Sequence, residues 1–439
     1  MRARLILGWL VVLTMVAAIW YAQEAPPARL SLADALDIAR RNNPDYLTAV
    51  SARSPAAWTV RNTTSNLFLP TASLQGSHAY QGATDGQNFQ GFQIPATPSY
   101  NQNSYNFRLG YQLSGSSITG RAAASAQLDA AEEDIGGAFL TLQTSVEQEY
   151  INLLEARAQA DLAQHVVAQA QENLNLAQAQ YNVGQKTIID VKQAQVNKGN
   201  ADVQLLQAQQ NAQIEVLKLY QLLGVPAPEP PNVVPTDTFP VVEPRYNQDS
   251  LVALALRVNP ALRSLRSKAG AARWNSRGAY LQYLPSLQAS ASTGTSWITQ
   301  QGSPTLKQKS PWFVSLGLNL PIFDGFSRNQ QIAQTGAADE AARQAVRSKE
   351  LAVRSGVASA YLTLMTAYRT IAVQANNRAA ADDALSLATE RYRVGSGSII
   401  ELNTAQVASE QAGVSYVNAM YDYHKAIAAL ELAVGQPLR

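Results

Sequence analysis

The phrase "QYNVGQKTIID" at 180–190 returns as "RYRVGSGSIIE" at 391–401, an offset of 211 in a chain of 439 residues. The same offset joins Leu174 to Leu385, Ala177 to Ala388, Val191 to Leu402, Leu205 to Tyr416 and Gly224 to Gly435. Nearer the start of each half, "NNP" at 42–44 answers "VNP" at 258–260 with offset 216, and "FLP" at 68–70 answers "YLP" at 283–285 with offset 215. Self-similarity at a fixed spacing is the mark of a duplicated unit. The chain is expected to be two internal repeats, 23–223 and 250–439, joined by a link at 224–249 and differing by small loop insertions. That link carries seven prolines between Gly224 and Pro244 and reads as an extended crossing segment.

Alternation is the second constraint. In "SYNFRLGYQLSG" at 104–115, Tyr105, Phe107, Leu109, Tyr111 and Leu113 alternate with Asn106, Arg108, Gly110 and Gln112, giving a strand one apolar face and one polar face. In "PWFVSLGLNLP" at 311–321, Trp312, Val314, Leu316, Leu318 and Leu320 share a face in the same way. Strands are expected at about 69–80, 104–113, 284–298 and 311–320, across loops rich in Gly, Pro, Gln, Asn and Ser. Strands of about ten residues with aromatic ends match an outer-membrane barrel, while two hairpins on a soluble core are the plainer reading. Four strands fall short of the roughly eight that the smallest single-chain barrels use, and an open edge cannot exist in lipid. Closure must come from several chains.

The rest reads as helix of unusual length. No proline interrupts 122–182, and the counterpart runs 326–394; about sixty residues at about 1.5 Å each reach roughly 90 Å. After turns at 183–187 and 395–398, further helices are expected over 188–223 and 399–434. In the last of these, Leu402, Ala405, Ser409, Ala412, Tyr416, Ala419, Tyr423, Ala426, Leu430 and Ala433 keep coiled-coil spacing without a slip. The first copy repeats the seam from Val191 to Leu222, weakened by Lys198 and Glu215. Off the seam, Gln and Asn abound, which suits helices touching laterally while both broad faces stay wet. Ser31 with Asp34 fits a capping box, and Asn43 before Pro44 restarts a helix after a break, as do Asn259 and Pro260 within the helical stretch 250–283.

Composition narrows the class. A net charge of +2 with 15% charged residues argues against a nucleic-acid partner, and no cysteine is present for a lipid anchor or a disulfide. Arg2 and Arg4, an apolar run from Leu5 to Ile19 and then "WYAQEA" have the layout of a secretory signal peptide over 1–22; as a membrane anchor the run would be short. Catalysis finds no support: His78, His165 and His424 are scattered, and no metal spacing, phosphate loop or nucleophile elbow occurs. No enzyme activity, cofactor or metal is expected. Glu132, Glu133 and Asp134 read as a solvated helical face.

The order of elements, with "YNVGQKTIIDVKQAQ" at 181–195, "YRVGSGSIIELNTAQ" at 392–406 and "LPIFDGFSR" at 320–328, resembles the TolC-like outer-membrane efflux protein family over essentially the whole mature chain. The first copy departs from the last motif with "LSGSSITGR" at 113–121, so the strand-to-helix bend need not match in the two halves. The resemblance implies a mixed α and β membrane protein: a transmembrane β-barrel completed by oligomerisation, and a long periplasmic α-helical barrel. It implies a homotrimer in outer-membrane lipid, four strands per chain making twelve, docked to a periplasmic adaptor and an inner-membrane exporter. The channel would serve efflux or type I secretion as a passive conduit. A non-conducting, membrane-anchored coiled-coil scaffold is the alternative.

Under that resemblance the two glycine phrases are hairpin tips at the periplasmic mouth. Tyr181, Val183, Gly184, Thr187, Tyr392, Val394, Gly395, Ser396 and Ser398 are the expected adaptor contacts. Gly184 and Gly395 supply the freedom to reverse the chain, Thr187 and Ser398 cap the departing helices, and Ile188, Ile189, Ile399 and Ile400 begin their packing. Asp190 and Glu401, each six residues beyond a tip glycine, resemble the family's constricting acids. Crowded in a trimer they would attract cations and titrate high; equally, an acid there simply suits the first turn of its own helix. Thr404 stands where the family's later repeat has a second acid, so this mouth should be less negative.

Overall fold

A computed structural model describes residues 29–89, 92–227, 229–230, 233–300 and 304–438. The expected signal segment lies outside them. In chain order the elements are β1 (Arg29–Leu30), α1 (Leu32–Asn42), α2 (Pro44–Ser51), α3 (Arg53–Phe68), β2 (Thr71–Gln81), β3 (Gln87–Phe89), β4 (Phe92–Ile94), β5 (Tyr100–Leu113), α4 (Gly115–Asn182) and α5 (Ile188–Leu223). The second half has β6 (Val234–Pro235), α6 (Gln248–Val258), α7 (Pro260–Tyr280), β7 (Ser286–Gln300), β8 (Leu306–Asn319), α8 (Ser327–Arg393) and α9 (Ile399–Val434). The described residues divide into two compact units: those within 29–50, 136–259 and 352–438 form one, those within 51–135 and 260–351 the other.

The first unit is helical, and its two main cores are built twice from the same positions. Leu142, Val146, Leu153, Val216, Leu219 and Leu223 are buried in one core, and Val353, Val357, Leu364, Ile427, Leu430 and Val434, each 211 residues later, are buried in the other. Ala35 and Ala39 of α1 pack on the first core as Leu251 and Ala255 of α6 pack on the second, offset 216. The amide of Asn43 caps α2 by accepting from Tyr46 N at 3.0 Å and donates to the Leu222 carbonyl at 2.9 Å. Asn259 donates to the Ala433 carbonyl at 3.3 Å, the same bond in the second copy. Each Asn-Pro pair therefore ends one short helix, starts the next and ties the break to the end of a long helix. The break expected within 250–283 falls at this pair, because Pro260 cannot donate to the carbonyl four residues back.

Seam positions of α5 and α9 face inward: Val191, Ala194, Ala201, Leu219, Leu402, Ala419, Tyr423, Ala426 and Leu430 are all buried. Between the copies, Asn173 of α4 donates to Gln406 of α9 at 3.1 Å in a buried amide pair, and Lys425 reaches Glu155 at 2.5 Å. Against the link, the hydroxyl of Tyr150 in α4 donates to the Leu30 carbonyl or the Asp237 carboxylate, both at 2.9 Å, and accepts from Thr236 N. These bonds give the link's backbone at Thr236 and Asp237 polar partners where it passes Tyr150.

The second unit holds one four-stranded antiparallel sheet in the order β2-β5-β7-β8. β5 and β8 run longer than expected, 14 residues each, while β2 and β7 have about the expected length at 11 and 15. Partners across the ladder share a face, so Leu74, Phe107 and Thr293 stand together, as do Leu109, Ala291 and Val314. On this face Leu74, Val314, Leu316 and Leu318 are exposed in the single chain, with Trp312 edge-on to Phe107 at 6.5 Å. The opposite face is joined by hydroxyl pairs, Ser77 with Ser104 and Ser290 with Ser315, each at 2.7 Å. Pro311 lies where the β7–β8 register shifts, a place for a residue that cannot donate to the ladder.

The strand-to-helix bends differ, as the two motifs foretell. In the second copy Gly325 and Phe326 both take φ 67°, and the Asp324 carboxylate accepts from the Arg328 backbone at 3.1 Å and its guanidinium at 2.8 Å. Burial alone would raise that carboxyl, but the Arg328 hydrogen bonds and charge hold it low. In the first copy α4 starts at Gly115, seven residues before the expected 122, directly after β5. A Cβ at Gly115 would come within 2.4 Å of the Leu281 side chain, so glycine lets the turn pass that close. Glu132 and Asp134 are exposed, as expected of a solvated face, and Glu132, Glu133 and Asp134 also pair with Arg53 of α3 and with Arg263 and Lys268 of α7.

Candidate functional site

Both tips reverse the chain through a left-handed glycine. Gly184 has φ 75° and donates to the Tyr181 carbonyl at 2.9 Å; Gly395 has φ 84° and donates to the Tyr392 carbonyl at 3.1 Å. No neighbouring atom crowds either glycine, so backbone conformation alone requires the residue. Ser396 Oγ donates to the Arg391 carbonyl at 3.2 Å and tightens the second tip.

The helix starts beyond the tips are capped in different ways. Ser398 Oγ accepts from Glu401 N at 3.1 Å, the expected serine cap. Thr187 and Asp190 form a capping box, in which the Thr187 hydroxyl and backbone N–H also donate to the Asp190 carboxylate, at 2.6 and 3.0 Å. Burial pushes the Asp190 carboxyl up, but these bonds and the Lys186 charge hold it below the ordinary aspartate range. Glu401 forms an ion pair with Arg391 of the helix before the tip. Within one chain, then, both candidate gate acids have partners of their own.

The two tips are not equivalent. Tyr392 is fully buried beside Leu385, Ala388, Ile399 and Leu402, whereas Tyr181 is 40% exposed. Burial, with the Asp190 charge, pushes the Tyr392 phenol up to about 12. Only Ile399 of the four tip isoleucines packs inward; Ile188, Ile189 and Ile400 lie on the surface with Val183 and Val394, contrary to the packing expected of them. Those five side chains give the tips an apolar outer surface.

Two residues absent from the expected set join the tips. Lys186 Nζ donates to the Gly397 carbonyl at 2.8 Å and lies 4.7 Å from the centre of the Tyr392 ring. Gln180 Nε2 donates to the carbonyls of Tyr392 and Arg393, at 3.1 and 2.9 Å. A signal was present: at matched positions the first tip has Lys186 where the second has Gly397, an unlike pair inside an otherwise similar phrase. A Cβ at Gly397 would meet the Tyr392 nitrogen at 2.9 Å, so the second tip is wound too tightly for any other residue.

Among the described residues no cluster of His, Asp or Glu could hold a metal ion, and no helix is long and apolar enough to cross a membrane. His424 is buried between the rings of Phe239 and Tyr423, and His78 pairs with Asn103 in the sheet. What this unit presents is a pair of helical hairpins with apolar, hydrogen-bonded tips.

The Outer membrane efflux protein model matches residues 35–225 and 251–436, one match for each copy. The outer membrane efflux protein BepC of Brucella suis is 24% identical over 72% of this chain and 68% of its own length. The pyoverdine export outer membrane protein OpmQ of Pseudomonas putida is 25% identical over 95% of this chain and 87% of its own. In structure, the Campylobacter jejuni CmeC outer membrane channel superposes with a TM-score of 0.78, at 19% identity, over 95% of this chain and 90% of that one. With both copies matched over most of their length and the fold shared, this chain belongs to the outer membrane efflux protein family and is an outer-membrane channel of efflux or secretion.

Proposed function

We propose that three copies of this chain close one barrel and one helical tunnel, forming a passive conduit that docks on a periplasmic adaptor and an inner-membrane exporter. The observation that carries this is the sheet: four strands, two unpaired edges at β2 and β8, an exposed apolar face and a polar face. Unpaired N–H and C=O groups are not tolerated in lipid, and edge pairing between copies satisfies them. Three sheets make twelve strands, within the range of outer-membrane barrels. The polar face then lines water and the apolar face meets lipid.

The adaptor reading rests on the tips. Val183, Ile189, Val394 and Ile400 are each about 70% exposed, an apolar surface that suits capture of a partner's helical hairpin. The scaffold alternative needs an anchor but no polar inner face, so the serine and glutamine rows speak for conduction. Cargo choice falls to the exporter. Purified protein in planar bilayers is the test: discrete single-channel steps from an SDS-resistant trimer are expected, and a stable monomer with full strand content and no conductance would sink the proposal.

A further inference from the structure

The polar face of the sheet holds one charge. Across the described strands, the residues that share a face with Ser73, Ser104 and Ser290 are Ser, Thr, Gln, Asn, Gly and Ala, with Leu306, Ile298, Phe313 and Tyr100 as the larger exceptions. Arg108 is the single member of that face ionised at neutral pH. Lys307 and Lys309 pair with Trp297 and Thr295 and therefore stand on the apolar face, as does His78. Asp85 lies in the loop beyond β2.

Arg108 occupies one cross-strand row with Ser73, Ser292 and Phe313. Serines on both sides leave the long side chain uncrowded, and it makes no hydrogen bond or ion pair among the described residues. An unpaired guanidinium on an otherwise neutral wall sets the local potential, and the Phe313 ring in the same row takes up space at that level. We propose that, in the closed trimer, Arg108 forms a ring of three guanidinium groups that makes the barrel an anion-attracting segment, able to bind multivalent anions and to favour anionic cargo. The inference rests on the trimeric conduit proposed above. The charge of Arg108 is opposite in sign to that of the acids at the tips.

The experiment is reversal potential in asymmetric KCl, together with block by inositol hexakisphosphate, for the wild-type trimer, Arg108→Gln and Arg108→Lys. Arg108→Gln is expected to lower the anion-to-cation permeability ratio about threefold, as removal of three like charges from a narrow aqueous pore should, and to abolish the block. Arg108→Lys keeps the charge and should keep both. If all three proteins conduct with the same ratio and the same block, the arginine ring is wrong while the conduit stands. If wild-type trimers never conduct, the conduit reading fails and this inference with it. A Gln variant that does not assemble leaves the block of the Lys variant as the deciding measurement: loss there overturns the charge argument, retention supports it.

Discussion

The Lys186 ammonium donates to the carbonyl of Gly397 at 2.8 Å, although the two residues hold the same position in the two copies of the repeat, 397 minus 186 being the repeat offset of 211. Duplication produced two hairpins, and divergence at this one position made the first clasp the second. A hydrogen bond to a charged donor with a cation–π contact contributes about 2 kcal/mol. Lys186→Met should release the tips, shifting a closed-to-open equilibrium by about thirtyfold, with trimer yield unchanged. Single-channel open probability is the measurement, and an unaltered value would rule the clasp out as a constraint on the mouth.

The sheet makes opposite demands on neighbouring residues of β8. Leu316 is 73% exposed on the apolar face, while Ser315 is on the polar face, hydrogen-bonded to Ser290. Leu316→Arg should destabilise the membrane-embedded trimer by about 2–4 kcal/mol, visible as loss of the heat-resistant band on gels. Ser315→Arg should assemble normally and lower conductance. Equal tolerance of both would contradict the assignment of faces.

Glu149 and Glu215 in the helical unit each keep one buried carboxylate oxygen with no hydrogen-bond partner, and we predict that they share a proton. Burial, and a hydrogen bond to Glu215, push Glu149 from the ordinary range up to about 7. A proton held between those two oxygens would satisfy both, while Lys218 donates to the other Glu215 oxygen at 2.8 Å. Because the folded value lies above the unfolded one, the carboxyl stabilises the fold in acid and that contribution is lost as pH rises from about 4.5 to about 7. Thermal midpoints of the wild type should therefore fall across that window, while Glu149→Gln, which keeps a donor toward Glu215, should show a flatter profile. Identical profiles would remove the shared proton.

The acids beyond the tips separate two roles. Asp190→Asn removes a carboxylate that accepts two hydrogen bonds from Thr187 and should weaken the start of α5 by about 1 kcal/mol. Glu401→Gln breaks the pair with Arg391 at the second tip. If the trimer gathers these acids at its mouth, both changes together reduce cation preference in reversal-potential measurements. If selectivity and divalent-cation block are unchanged, the acids serve their own helices only.

Much of this molecule is written in one dimension. Duplication, strand alternation, the Asn-Pro breaks and the heptad seams depend on local rules of period, capping and burial, which a sequence displays directly, and they carry family and architecture. The tip glycines were legible because φ near 75–84° is a local property of the backbone. Other features depend on which chain segment lies opposite. Tyr181 and Tyr392 match in sequence, yet one is exposed and the other buried, because Leu385, Ile399 and Leu402 enclose only the second. Lys186 and Gln180 act on carbonyls more than 200 residues away, and a carbonyl acceptor carries no sequence signature. Glu132, Glu133 and Asp134 look like any solvated face until α3 and α7 bring their cations. Local period and capping energy thus belong to the sequence, whereas partners were decided by tertiary structure, since pairing energy exists only after distant segments meet.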